Sequence, residues 1–412
     1  MDPIGIAIFA VSYALISMRR LDWLGFDRPA GALLGACAMV IFGVLTPHEA
    51  LAAVDGATLL LLFGVMGLGA FLGLDGFLAG AEERLARAAR TPRRLLGGLI
   101  WSAGILSAFI TNDAVCVLGA PLVVGLVRRH GLPPLPYLLA LATAANTGSV
   151  ATLVGNPQNM LCAQLGGLVY RDYALSAIPI ALLGLALNHF WLDLCFRREL
   201  RVHRLRPVEY VPSVARRAQL DLVVIAATAV AYTLGADLAW AAASGFVVLM
   251  LAQRRDTQRL WAHIDFSILL FFAGLFVVVQ GLVESGLPAW LFERFPLTAL
   301  ESGTGGGWSL AALFLVGSNL VSNVPFILVV RDAMSALPDP ELAWKLLAVA
   351  STFAGNLTLL GSVANVIVAE SARELGGFGF RQHLRVGFPL ALATTAVGAL
   401  WLLVVEPGLG LA

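Results

Sequence analysis

The chain has 412 residues, 59% hydrophobic and 13% charged, with a mean hydropathy of +0.84. Soluble domains carry about 25% charged residues, so a soluble enzyme is excluded and one large membrane-embedded unit is expected. The net charge of +1 gives no reason to expect a nucleic-acid partner.

The apolar stretch from Met1 to Met18 has neither a basic leader nor a small-residue cleavage site, so it reads as a retained first span. A membrane helix needs ~20 apolar residues. Ten segments qualify: about 3–18, 29–46, 55–79, 134–166, 174–196, 220–236, 238–252, 264–285, 342–369 and 386–405. Two further apolar stretches, about 95–127 and 308–331, are each interrupted halfway by polar residues. Their halves, at roughly 15 residues, are short for a full crossing. Cys37, Cys116, Cys162 and Cys195 show no CxxC or Cys/His spacing and read as buried reduced thiols.

Arginines orient these elements. Clusters follow the first span (Arg19, Arg20, Arg28), the third (Arg84 to Arg94) and the first interrupted stretch (Arg128, Arg129). Others occupy 197–219 and follow the seventh span (Arg254, Arg255, Arg259) and the ninth (Arg373, Arg381, Arg385). All fall on one side if both interrupted stretches are re-entrant hairpins. That side is the cytoplasm by the positive-inside rule, which leaves both termini outside it. The expected fold is all-α integral membrane: an inverted repeat of five transmembrane helices plus one re-entrant hairpin each, with broken helices at the midplane. Residues 1–196 form the first repeat, 197–219 a basic cytoplasmic linker and 220–412 the second repeat. Such repeats are the signature of alternating-access transporters.

Matched motifs sit at matched places. The hairpin tips read Ile110-Thr111-Asn112 and Val321-Ser322-Asn323. The segments after them share Thr-Leu-x-Gly-x-x-x-Asn, as Thr152, Leu153, Gly155 and Asn159 and again as Thr358, Leu359, Gly361 and Asn365. The run from Asn146, Thr147 and Gly148 to Asn156, Pro157 and Asn159 is the densest polar stretch. Gly allows positive φ and Pro157 removes a donor, so a break is expected there. Irregular backbone at membrane depth is tolerated only where it is buried in protein or lines a cavity. Freed carbonyls and Asn, Ser and Thr oxygens suit a cation; freed amides at a helix N-terminus suit an anion. The competing reading is that these residues only cap helix ends.

Asp113 is the one carboxylate in either tip, and its repeat mate is Val324. An intramembrane carboxylate is by default a functional hypothesis, here a coupling-cation or proton site, with an N-cap as the structural alternative. His189 and Asp193, four apart on one helix face, are expected to pair near Arg197. Asp75, Asp265, Glu284 and Glu370 lie near span ends, and Gln280 and Trp308 are candidates for an outer vestibule. A role for Cys116 and Cys162 in metalloid binding ranks below simple packing. No Walker A loop, HExxH or GxSxG motif occurs, which argues against ATP-driven transport and against an enzyme.

With Ile110-Thr111-Asn112-Asp113, Asn146 through Asn159, Ser322-Asn323-Val324-Pro325 and Gly355-Asn356 through Asn365, nearly the whole chain resembles the ion transporter superfamily. That group holds divalent-anion/sodium symporters, citrate-transporter-like permeases, arsenite permeases and some sodium/proton antiporters. The resemblance implies hairpin tips meeting broken helices at a substrate site flanked by sodium or proton sites, in a homodimer with an elevator-like moving domain. Carried over, Thr111, Asn112, Asn146, Thr147 and Gly148 help form one cation site. Ser322, Asn323, Gly355, Asn356 and Thr358 form its counterpart. Substrate falls to Asn112, Thr152, Gly155, Asn156, Pro157 and Asn159 in the first half, and Asn323, Pro325, Gly361, Ser362 and Asn365 in the second. Dicarboxylate symporters of the group tend to show Ser-Asn-Thr at both tips, whereas this chain has Thr-Asn-Asp and Ser-Asn-Val. The expected function is transport of a small carboxylate or inorganic oxyanion across a bacterial-type inner membrane, coupled to sodium or protons, with no bound cofactor. Arsenite or metalloid efflux and sodium/proton antiport are the alternatives.

Overall fold

Prolines and short polar side chains set most helix starts in this computed structural model, which describes residues 1–17, 27–205, 216–301 and 305–409. The first half contains α1 (Pro3–Ser17), α2 (Arg28–Ile41), α3 (Pro47–Ala52), α4 (Gly56–Leu74) and α5 (Phe77–Ala89). It continues with α6 (Pro92–Ser107), α7 (Asn112–His130), α8 (Pro134–Ser149), α9 (Pro157–Gly166) and α10 (Tyr170–Val202). The second half opens with α11 (Arg216–Thr233), α12 (Leu238–Gln253), α13 (Thr257–Trp261), α14 (Phe266–Glu284), α15 (Leu287–Arg294) and α16 (Leu297–Glu301). Then come α17 (Gly306–Val321), α18 (Asn323–Met334), α19 (Pro340–Ala354), α20 (Val363–Ser371), α21 (Phe380–Leu400) and α22 (Glu406–Gly408). No strand occurs among the described residues. Asp27, Asp55, Thr91, Asp237 and Asp339 each accept an amide of the first turn of the helix they precede. Such caps replace partners the helix itself cannot supply.

Among the described residues, four helices are long and apolar enough to cross a membrane: Gly56–Leu74, Tyr170–Val202, Phe266–Glu284 and Phe380–Gly408. Several expected spans resolve into shorter pieces. The segment 134–166 is α8 and α9 with a gap between them, and 342–369 is α19 and α20. The segment 55–79 stops at Leu74 because Gly76, at φ 66°, turns the chain into α5. Gly286, at φ 76°, does the same between α14 and α15. Both interrupted stretches are helical pairs, α6–α7 and α17–α18. The expected linker 197–219 begins as the end of α10; Arg206, like Arg19 and Arg20, lies outside the described residues.

The helices gather into two groups, and each takes members from both halves. In one, α2 packs on α14, α4 on α12, α1 on α2 and α11 on α12. In the other, α6, α7 and α10 surround α8, while α17 and α21 flank α19; α10 meets α21, α7 meets α20 and α9 meets α19. The main crossings of the first group rest on small residues. A Cβ on Gly64 of α4 would stand 2.7 Å from the backbone of Ala242, and one on Gly274 of α14 would stand 2.8 Å from that of Ala32. Without a hydrophobic drive between helices in lipid, such close approach is what holds them together.

Candidate transport site

The hairpin tips are built differently. At the first, Thr111 caps α7 by accepting the Ala114 amide at 3.3 Å. The Asn112 amide donates to the Gly155 carbonyl at 2.9 Å, and its side chain donates to Asn146 Oδ1 at 2.8 Å. The cap is therefore Thr111, and Asp113 stands free of that duty in the first helical turn. At the second tip Ser322 turns the chain with φ 68° and ψ 150°, and its side chain makes no capping bond to α18. Asn323 donates to the Gly361 carbonyl at 3.3 Å.

Each break strands carbonyls that the helix would have bonded, and an asparagine from the following helix collects them. Asn159 Nδ2 donates to the carbonyls of Ser149 (3.3 Å) and Thr152 (3.0 Å). Asn365 Nδ2 donates to those of Gly355 (2.7 Å) and Thr358 (3.1 Å). The shared Thr-Leu-x-Gly motif aligns these residues pairwise, so the bonds correspond one to one. A further carbonyl in each break accepts a hydrogen bond from the next long helix. Tyr173 donates to Val150 at 3.0 Å, and His383 Nε2 meets the Asn356 carbonyl at 2.9 Å.

The breaks also brace each other. Asn146 Nδ2 donates to Asn356 Oδ1 and Asn365 Oδ1, both at 3.0 Å, while its Oδ1 accepts from Asn112 and from Ser362 at 3.0 Å. Its amide thereby spends its full bonding capacity. Thr352, the residue the motif aligns with Asn146, donates to Asn159 Oδ1 at 3.0 Å and accepts from Asn156 at 3.1 Å.

In front of this network lies a cavity of about 340 Å³. Four helix N-termini reach it: α7 with Asn112 and Asp113, α9 with Pro157 and Gln158, α18 with Ser322 to Pro325, and α20 with Gly361 to Val363. The opposite wall comes from the other helical group, through Tyr13, Arg28, Phe271 and Phe272. Tyr13 donates to the Leu320 carbonyl, joining α1 to the second hairpin. The Asp113 carboxylate faces the Ala364 amide of α20, with Arg28 and Asp265 as its charged neighbours. A second, smaller cavity of about 60 Å³ shares Asp113 and Pro157 with the first and adds Thr111, His263 and Asp265. Asp113 thus stands between two spaces.

A family described as citrate transporter matches residues 13–354. The chain belongs to the citrate transporter family. It is 30% identical to the silicon efflux transporter LSI3 of Oryza sativa subsp. japonica, over 96% of each chain. It is 25% identical to the transporter named arsB of Dictyostelium discoideum, over 95% of this chain and 90% of that one. In fold it matches the crystal structure of the YdaH transporter of Alcanivorax borkumensis, with a TM-score of 0.56, 18% identity and coverage of 99% and 97%. The protein is a helical membrane transporter of the citrate-transporter and arsenite-permease type.

Within this family member, the residues singled out from the motifs divide into two layers. Asn112, Asp113, Pro157, Ser322, Asn323, Pro325, Thr358, Gly361 and Ser362 line the cavity. Asn146, Thr147, Thr152, Asn156, Asn159, Asn356 and Asn365 are bonded into the network behind it, and Thr111 faces the smaller cavity. Gly148, Gly155 and Gly355 do not take positive φ. A Cβ on Gly148 would stand 2.1 Å from the Gly104 carbonyl, and one on Gly155 would stand 2.2 Å from that of Ser149. Their role is close approach, and the positive φ falls on Ser322.

Other expectations change as well. Asp193 pairs with Arg93 (Nε to Oδ1, 2.6 Å), because α10 packs on α6, and His189 accepts the Trp101 indole N–H at 3.3 Å. Asp75 pairs with Arg255, Asp265 caps α14, and Gln280 bonds Glu284, its own helix neighbour. Neither Gln280 nor Trp308 lies on the cavity. All four cysteines are free; Cys116 and Cys162 are buried away from the cavity wall, while Cys37 and Cys195 are exposed on helix surfaces. Sequence reasoning missed Tyr13, Gln158 and Asn319, and it placed Arg28 in a cytoplasmic cluster although it lines the cavity. The Asp27-Arg28-Pro29 helix start was the available signal, since it fixes Arg28 at the first turn of α2.

Proposed function

We propose that this protein is a secondary active transporter that moves a small carboxylate or inorganic oxyanion by alternating access, coupled to sodium or protons. The observation that carries this reading is the convergence of four helix N-termini on one cavity that also holds Asp113. Helix N-termini present positive dipole ends and amides without intrahelical partners, which favour an anion. Asp113 opposes that anion until a cation or proton neutralises it. Asp113 lines the cavity with the N-terminal turn of α20, so neutralising it removes a charge that repels an anion from those amides. Cation uptake then favours anion binding at the same place, which is the differential affinity that coupling needs.

The corresponding bonds at the two breaks support an inverted repeat of residues 1–196 and 220–412 with re-entrant hairpins. The division into two helical groups supports an elevator-like motion of one against the other. In this reading the protein sits in the inner membrane as a homodimer, with both termini outside the cytoplasm.

A second reading is export of a weakly charged oxyacid of a metalloid. Its support is that Asp113 and Arg28 share the cavity, a balance of charge that suits a neutral hydroxylated solute. The silicon efflux name of one relative points the same way.

Proteoliposomes test these readings. Succinate, citrate, sulfate, phosphate and arsenite are offered under an imposed sodium or proton gradient. The expected result is gradient-driven accumulation of one anion by the natural protein. Asp113→Asn should lose that accumulation while still exchanging labelled anion across the membrane. Unchanged gradient-driven accumulation by Asp113→Asn would sink the coupling role. Sodium-dependent proton flux with no anion present would overturn anion transport in favour of antiport.

A further inference from the structure

A strongly basic cavity lies away from the transport site, between α6 and α10 at the base of the first hairpin. It measures about 890 Å³. Arg90, Arg93 and Arg94 enter it from the start of α6, and Arg201, His203 and Arg204 from the end of α10. Among the described residues Asp193 is the one carboxylate on its wall, and Arg93 already holds it.

Arginine on this face is expected from the positive-inside rule, and some of these arginines have carboxylate partners. Arg128 pairs with Glu374 at 2.5 Å, Arg255 with Asp75 and Arg373 with Glu370 at 3.4 Å. Arg90, Arg94, Arg201 and Arg204 have no ion pair among the described residues, although they share one concave site. The N-terminal end of α6 adds its positive dipole there, with only Thr91 as its cap. Like charges gathered in a concavity repel one another and raise the local potential. A multiply charged anion relieves that repulsion, and guanidinium forks match phosphate oxygens two at a time.

We propose that this cavity is a regulatory binding site for a phosphate-bearing anion, distinct from the transport site. The ligand chemistry is a clustered phosphate charge, supplied either by a soluble di- or triphosphate or by the headgroup of an anionic lipid. Basic pockets between membrane helices on the cytoplasmic side are a known setting for such headgroups. Bound there, the anion ties the hairpin arm α6 to α10 beside the Arg93–Asp193 pair, and so stiffens the base on which the first hairpin tip is carried.

The test uses the full chain in neutral detergent and in nanodiscs. Inorganic pyrophosphate is titrated in detergent, and nanodiscs of phosphatidylcholine are compared with nanodiscs containing phosphatidylglycerol. The thermal midpoint is read for the natural protein and for the double variant Arg94→Gln/Arg204→Gln. The expected result is a rise in midpoint with at least one probe, weakened tenfold or more in apparent affinity by the double variant. A response to pyrophosphate identifies a soluble ligand, and a response only to phosphatidylglycerol identifies a lipid. Equal responses in both proteins would place the anion elsewhere, the transport cavity included, and overturn the proposal, as would no response to either probe. If the glutamine variant fails to fold, Arg94→Lys/Arg204→Lys keeps the charge and removes the fork. Its expected affinity is several-fold weaker than natural, and unaltered affinity would again overturn the proposal.

Discussion

Asn159 and Asn365, both fully buried, each satisfy two carbonyls of the break they follow. Leaving a buried acceptor unmet costs about 1–3 kcal/mol. Asn159→Ala and Asn365→Ala are therefore each expected to destabilise by about 3 kcal/mol, read as a lower thermal midpoint of the purified protein. Both lie behind the cavity wall, so the loss should be the same with and without substrate. A variant that keeps its midpoint but loses ligand-induced stabilisation would show instead that the asparagine contacts the ligand. At this scale the sequence was informative about residue type and poor about depth. The polar motifs singled out Asn146 for a cation and Asn159 and Asn365 for substrate, and the structure places all three in helices beside the breaks, bonded across them. Whether an asparagine faces a cavity or a carbonyl depends on side-chain direction across two helices, which spacing along one chain does not encode. Arg28 shows the converse, since a charge tally assigns it to a face and only packing places it against Asp113.

Helix termini carry the next level of information. Pro157 and the Asn156 cap made the first break legible, and the shared Thr-Leu-x-Gly motif pointed to the second. The backbone geometry of the tips was not legible: glycines drew attention, yet Ser322 holds the positive φ. A non-glycine residue there costs of order 1 kcal/mol or more. Ser322→Gly should raise the thermal midpoint, by a stabilisation of about 1 kcal/mol, and a lowered midpoint would mean that the serine hydroxyl makes a contact worth more than the strain. Gly148→Ala should do the reverse. Its Cβ would lie 2.1 Å from the Gly104 carbonyl, and forcing α8 from α6 costs about 1–3 kcal/mol. Unaltered unfolding of Gly148→Ala would show that the α6–α8 contact yields easily.

Across the whole molecule the two helical groups meet at the cavity, and Tyr13 to Leu320 is a direct bond between them. If transport moves one group against the other, a covalent tie at this point must stop it. Tyr13→Cys with Leu320→Cys, in a background with Cys37→Ser and Cys195→Ser, is expected to lose flux on oxidation and regain it on reduction. Flux that persists in fully cross-linked protein would argue against relative motion at this contact. The pairing of halves could be anticipated from the matched motifs. The grouping could not, because α2 with α14 and α4 with α12 are contacts between distant segments that share no motif.

The bracing of the breaks has a consequence in time. Asn146 and Asn365 bond across 219 residues of chain. At about 5–20 residues per second, the ribosome needs roughly 10–40 s to make the second partner after the first. Throughout that interval the nascent first half holds an asparagine and a set of carbonyls, already in the membrane, without their final partners. The first half cannot complete this network before the second half is made. A message truncated after residue 205 should yield a product that is degraded, and co-expression with a separate 216–412 fragment should rescue it. Pulse-chase lifetimes of the truncated chain, alone and with its complement, measure how long the first half can wait.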